Sequence, residues 1–225
     1  MEGGKAWFQT EKDAVRRRLF KYALEAFRNL PLPERPRVLD VGCGSGVTAI
    51  ELVKTTGCTL TCIDIDREML DWLSEKARQE GIEDRLKIVQ MSLLDMNFPD
   101  ESFDVILAEG SIFAIGFRKG LLEWKRLLRP GGFMVIHDEQ GDVREKIGLI
   151  QSSGYDLLGH CILDADVWRR EYCVPLENLV MEAEENYSGG QDIAGALDNA
   201  RGEIKWFKDF PERSSSVIFT VKKAK

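Results

Sequence analysis

Histidine is the scarcest chemistry-bearing residue in this chain: 225 residues hold two, His137 and His160. Protein zinc sites draw on histidine, thiolate and carboxylate ligands, and with two histidines that supply is thin. The five cysteines, Cys43, Cys58, Cys62, Cys161 and Cys173, do not make up the shortfall. Their number is odd and no Cys-x-x-Cys pair occurs, which argues against both a disulfide framework and a zinc ribbon. No run of about 18 apolar residues is present, so no membrane-spanning helix is expected. The opening Met1-Glu2-Gly3-Gly4-Lys5 lacks the apolar core of a secretion signal. Basic tracts are missing as well. Lys and Arg number 31 against 38 Asp and Glu, a formal net charge of -7, which disfavours a sequence-independent grip on nucleic acid. These absences predict a cytoplasmic protein with no metal, no membrane and no nucleic-acid partner.

With 31% charged and 44% hydrophobic residues, the composition is that of an ordinary folded chain, long enough for one α/β domain with an embellishment. The stretch that organises it is Val38-Leu39-Asp40-Val41-Gly42-Cys43-Gly44-Ser45-Gly46. A short apolar strand runs into three alternating glycines, and Val47, Ile50 and Val53 then begin a helical period. Glycines at such a turn let the backbone bend sharply and let a ligand approach without Cβ interference. The following helix offers unpaired amides and a positive dipole end to a carboxylate. Asp40 falls at the carboxyl end of the strand, the edge where open α/β sheets bind ligands.

Further elements follow in order. Thr10 and Asp13 suit the start of an opening helix over residues 7–30, and Pro31, Pro33 and Pro36 then deliver an extended chain to the first strand. Leu60 to Asp64 predicts a second strand, with Asp64 22 residues after Gly42, close to the spacing at which an acid meets ribose hydroxyls in dinucleotide folds. Asp66 caps the next helix, whose Met69, Leu70, Leu73 and Ala77 point inward. Leu86–Gln90 and Val105–Ala108 predict two more strands. A helix over 121–128 and an Arg129-Pro130-Gly131-Gly132 turn then lead to a fifth strand ending at His137. A helix near 143–153, a strand over 155–163 and a last strand over 216–221 complete the sheet.

The glycine stretch resembles motif I of the class I S-adenosylmethionine-dependent methyltransferases: an acid, then Gly42-x-Gly44-x-Gly46. Ile63-Asp64-Ile65-Asp66 with Met69-Leu70 is similar to the family's second motif, and Leu127-Leu128-Arg129-Pro130-Gly131-Gly132 to a later mark. The resemblance covers roughly residues 36–138 and is closest to the small-molecule, quinone-biosynthesis group. It implies a Rossmann-like sheet of seven mostly parallel strands with helices on both faces, to which this chain adds a helical insertion before the last strand. It also implies a division into a leading helix and linker (1–35), a cofactor core (36–163), an insertion (164–213) and a final strand (214–225).

By that resemblance S-adenosylmethionine is the cofactor and S-adenosylhomocysteine the product. Asp40, Gly42, Cys43, Gly44, Ser45 and Gly46 would hold the methionine portion and Asp64 the ribose, with Ile65 and Met69 walling the adenine. Ser92 and Leu93 fall on the adenine-reading segment. Ser92 departs from the family's usual acid, which shifts that contact to Asp95 or to the Leu93 amide. Glu109 lies where donor and acceptor meet and counts as both a cofactor and a catalytic candidate. His137, at the end of the fifth strand, is the candidate general base, against the plainer reading of a strand-end histidine bonded to backbone. No Asn-Pro-Pro-Tyr follows the fourth strand, so exocyclic-amine methylation of bases loses its usual sign.

Some fifty residues between the sixth and seventh strands exceed what a hairpin needs. They predict a cap over a small-molecule acceptor, with homodimerisation as the competing use. Ser111, Trp168 and Tyr172 are the candidate acceptor contacts, with Trp206 beside them, and Trp7 and Phe8 are candidates to close the cofactor pocket. The predicted activity is methyl transfer by direct displacement. The alternatives are a cofactor-binding protein without catalysis and a nicotinamide-dependent oxidoreductase.

Overall fold

The computed structural model describes residues 3–187, 190 and 192–224, apart from the side chain at 212. Met1 and Glu2, read above as part of the opening segment, lie outside the described residues. The chain divides into two compact units. One comprises Met1–Lys21 with Leu163–Ser215, the other Tyr22–Ile162 with Ser216–Lys225.

The larger unit is built on a seven-stranded sheet in the order β3-β2-β1-β4-β5-β7-β6. The strands are β1 (Arg37–Val41), β2 (Thr59–Asp64), β3 (Leu86–Gln90), β4 (Phe103–Glu109), β5 (Leu128–Glu139), β6 (Tyr155–Leu163) and β7 (Ser216–Lys223). β1 to β5 pair in parallel and β7 runs antiparallel to β5, so the sheet is mixed but mostly parallel, as expected. Successive strand residues point to opposite faces. On one face Leu39, Val41, Ile106, Ala108, Met134, Ile136 and Phe219 pack with Leu121, Trp124 and Ile150 of α5 (Phe117–Trp124) and α6 (Val143–Ser152). Their alternates Val38, Leu60, Cys62, Val105, Leu107 and Val135 are buried as well, the mark of a parallel sheet covered on both faces. α3 (Val47–Thr56) and α4 (Arg67–Gln79) pack with each other and with β2.

The Arg129-Pro130-Gly131-Gly132 segment is not a free turn ahead of the fifth strand. It lies inside β5 as a bulge: two steps on β4, from Phe103 to Val105, oppose five on β5, from Leu128 to Phe133. Gly131 takes φ +72°, and a Cβ on Gly132 would stand 3.1 Å from the Asp104 carbonyl, so both glycines are needed for the chain to fold back so tightly.

In the smaller unit, α1 (Gly4–Arg17) packs with α8 (Val174–Asn186) and α9 (Ala194–Asp209). Phe8, Val15, Tyr172, Leu176, Leu179, Ala183, Leu197 and Ile204 form its core. The opening segment is therefore two helices rather than one. After Arg17 the amides of Arg18 and Leu19 bond three residues back, to Val15 and Arg16, and α2 (Phe20–Arg28) starts anew. The break lets α1 bury its stripe among α8 and α9 while the chain from Tyr22 onward joins the other unit. Gly3, not Thr10, stands at the helix start; the Thr10 hydroxyl donates to the Ala6 carbonyl one turn inside.

Asp164 caps α7 (Ala165–Trp168), which continues through a π-helical turn, Arg169–Cys173, into α8. Pro175 accounts for that turn. It has no N–H to give to the carbonyl four residues back, and its ring crowds that carbonyl, so the helix widens just before it. No helix among the described residues is long and apolar enough to cross a membrane.

Candidate functional site

The site assembles at the carboxyl ends of β1, β2 and β4. The chain leaving β1 is pinned to β2: the amides of Gly42 and Cys43 both donate to the Ile63 carbonyl, at 2.8 and 3.0 Å. Gly42, Gly44 and Gly46 all adopt left-handed φ values, +71°, +53° and +77°. Their surroundings differ. A Cβ on Gly42 would lie 2.7 Å from Ser111 Cβ, and one on Gly46 would overlap the Leu73 side chain, whereas nothing stands within 4 Å of the position on Gly44. Two glycines are thus held by packing, and the middle one faces open space, the cradle a side chain would fill.

Asp64 closes the far side of this turn. Its Oδ2 accepts from the Gly44 amide at 2.8 Å and its Oδ1 from the Asp66 amide at 3.0 Å. Each carboxylate oxygen offers two acceptor sites, so capacity remains for a diol. Asp66 serves as the helix cap, accepting from Glu68 and Met69 amides. Ile65 is 70% exposed and Met69, four residues on, is half-buried. Beyond β3 the Ser92 hydroxyl accepts from the Leu94 amide at 3.2 Å and its carbonyl from Asp95. Ser92 is therefore a turn-former here.

Asp40 is 3% exposed. Burial, then the charges of Glu109 and Asp64, push its carboxyl up to about 8. Ser45 is buried in the turn. A hydrogen bond to the half-buried Cys43 thiol, and then burial, push the Cys62 thiol well up.

Glu109 stands opposite His137 in the β4–β5 register. Two residues not singled out in the sequence hold this pair. The Thr48 hydroxyl, in the first turn of α3, donates to Glu109 Oε2, and Ser216, the first residue of β7, meets His137 Nε2 at 2.7 Å. Nothing in a single sequence marks either, since both depend on non-neighbouring strands and helices coming together. Burial lowers the His137 pKa against the pull of Glu109 and Asp138, leaving the ring neutral near pH 7.

The acceptor candidates occupy other settings. Ser111 is 7% exposed and its hydroxyl donates to the Val41 carbonyl at 2.5 Å, bracing the glycine turn from behind. Tyr172 is 4% exposed in the core of the smaller unit, its hydroxyl donating to Glu203 at 2.5 Å and its ring edge-on to Trp168 and Phe207. Both hydroxyls are thus committed inside the fold, unlike the expected acceptor contacts. Trp168 is half-buried and stacks on Phe207, Trp206 meets Phe207 edge-on, Phe8 is core, and Trp7 packs on Tyr187. No group of three or more His, Cys, Asp or Glu residues among the described residues could hold a metal ion.

Comparison with known proteins agrees with this geometry. Residues 38–132 match the family model described as a methyltransferase domain. A sterol 24-C-methyltransferase of Gibberella zeae is 37% identical over 111 residues, 49% of this chain and 29% of that protein. The matched segment thus spans under a third of that relative's length. Among solved structures, an S-adenosylmethionine-dependent methyltransferase from Geobacter sulfurreducens in complex with S-adenosyl-L-homocysteine superposes with a TM-score of 0.70 at 19% identity, covering 90% of this chain and 89% of that one. The [4+2]-cyclase SpnF superposes with a TM-score of 0.73 at 18% identity, over 92% and 80% of the two chains. At such identities these neighbours speak for the fold alone. The glycine turn, the strand-end acids and the strand order are in keeping with that match, so residues 38–132 are similar to a methyltransferase domain.

Proposed function

We propose that this chain binds S-adenosylmethionine and transfers its methyl group to a small-molecule acceptor by direct displacement. The observation that carries the reading is the open face of Gly44, ringed by acids at the ends of three adjacent strands. The α3 amino end would receive the cofactor's carboxylate and Asp40 its ammonium group, with Gly42, Cys43, Ser45 and Gly46 shaping the turn. Asp64 would accept from the ribose hydroxyls, Ile65 and Met69 would sandwich the adenine, and Ser92 and the Leu93 amide would border it. The cofactor, when bound, supplies an activated methyl group whose departure needs no covalent help from the protein.

The residues supply alignment and exclusion of water. Glu109, held by Thr48, would line the transfer position, and His137, neutral near pH 7, can take a proton from an acceptor that must lose one. A small acceptor is supported by the net charge of -7, which does not favour nucleic acid, and by the sterol named for the Gibberella zeae relative. The methyltransferase domain match argues for this reading over a nicotinamide-dependent oxidoreductase. One second reading stays open, because a neighbour with this fold is a [4+2]-cyclase: a chain that binds the cofactor without transferring its methyl group.

Calorimetric titration with S-adenosylhomocysteine, beside NAD as control, tests cofactor binding on the wild type and on Asp64→Ala. Micromolar binding of the first ligand alone, lost in the variant, is expected; no binding refutes the proposal. Methyl-labelled cofactor incubated with a panel of sterols and hydroxylated small molecules then separates transfer from the second reading.

A further inference from the structure

Asp64 and Glu109 end β2 and β4, and Asp40 is the last residue but one of β1 between them. In the register, Asp40 pairs with Cys62 on β2 and Leu107 on β4, so Asp64 and Glu109 each lie two residues beyond it on either side. Of the three, Asp40 alone is buried. The groups that face it are Asp64 and Cys62 from β2 and Glu109 from β4, with Cys43 of the glycine turn next to Cys62. His137 on β5 acts on Glu109 rather than on Asp40. Every charge that acts on Asp40 is therefore of its own sign. A carboxylate in such a place has lost its water and gained no cation, which favours the neutral acid.

We propose that Asp40 carries a proton in the cofactor-free protein and gives it up to solvent when the cofactor's ammonium group arrives, so that cofactor binding releases a proton. The inference rests on the cofactor reading above. The bond that breaks is the Asp40 O–H. The proton passes to buffer, and the carboxylate left behind pairs with a cation already charged in solution. The burial that makes Asp40 a poor anion alone makes it a strong partner for a cation that enters the same dry place.

With Asp40 titrating at about 8, some nine in ten of these groups are protonated at pH 7, so the expected release is about 0.9 proton per ligand. The affinity for S-adenosylhomocysteine is then expected to tighten about tenfold from pH 6 to pH 7. Titration calorimetry of the full chain with S-adenosylhomocysteine in phosphate and in Tris at pH 7 reads the release from the difference in observed heat. Asp40→Asn, neutral and of the same shape, is expected to bind without release and with affinity flat in pH. Glu109→Gln, which removes one of the two like charges, is expected to move the rise in affinity to lower pH, and serves if the Asn variant does not fold. Wild-type binding with equal heat in both buffers and flat affinity overturns this inference and leaves the cofactor reading standing. No binding at any pH overturns both.

Discussion

The three glycines of the turn make different demands, and substituting them separates folding from ligand approach. Gly44→Ala puts a side chain on a residue at φ +53° with nothing within 4 Å of the new Cβ. Its cost to stability is the left-handed backbone alone, about 1–2 kcal/mol. Gly46→Ala meets the same backbone cost at φ +77° and also drives the Cβ into the Leu73 side chain at the heart of α4. Overpacking adds about 1–3 kcal/mol, for a total of about 2–5 kcal/mol. Alanine's smaller freedom in the unfolded chain offsets about 0.4–1 kcal/mol of each, so the difference between the two survives. At about 2–4 °C per kcal/mol for a chain of this size, Gly46→Ala is expected to melt several degrees below Gly44→Ala. Binding is expected to sort the other way. Gly44→Ala fills the open face and weakens S-adenosylhomocysteine at least about tenfold, or about 1.4 kcal/mol. Thermal unfolding and calorimetry on the same samples read both. Gly44→Ala binding like the wild type would show that the ligand does not approach over that glycine, and equal melting temperatures would show that Leu73 yields freely.

Asp64→Ala is expected to lose the ribose acceptor and the bonds to the Gly44 and Asp66 amides, lowering stability by about 1.5–3 kcal/mol, whereas Asp64→Asn keeps one acceptor oxygen and is expected to lose one of those bonds together with affinity; unfolding and calorimetry distinguish them. Because burial depresses the folded pKa of His137 below its unfolded value near 6.5, the unfolded chain binds more protons there as the solution is acidified. Stability is therefore expected to fall as pH drops below about 6.5, and His137→Gln to flatten that part of the profile in denaturant titrations from pH 5 to 7.5. Tyr172→Phe removes a donor to Glu203 in the core of the smaller unit and is expected to cost about 1.5–3 kcal/mol in thermal unfolding. No change there would mean that Lys12, which also bonds Glu203, and Arg16, whose charge acts on it, satisfy that carboxylate without the tyrosine.

The strands that matched residue for residue, 86–90 and 155–163, are bounded by turn residues and carry strong local preference, so near neighbours suffice to place them. The same holds for the Asp66 cap, whose acceptor serves amides two and three residues away. Thr48 and Ser216 carry no local mark, because each acts on a partner 61 or 79 residues distant. The opening helix looked continuous because its apolar period hardly falters at Arg17; what interrupts it is a change of partner, from α8 and α9 to the other unit.

The amino-acid sequence by itself determined the glycine turn, the acids at the carboxyl ends of β1 and β2, and the parallel strand–helix alternation, since these follow from backbone freedom and short-range periodicity. Only the tertiary structure decided the rest. It gathered α1 with α7 to α9 across some 140 intervening residues, folded Arg129–Gly132 into β5, and spent the hydroxyls of Ser111 and Tyr172 within the fold. It also surrounded Asp40 with charges of its own sign. A residue type states what a side chain can donate, accept or carry. Burial and the neighbours brought by distant strands set which of those it does.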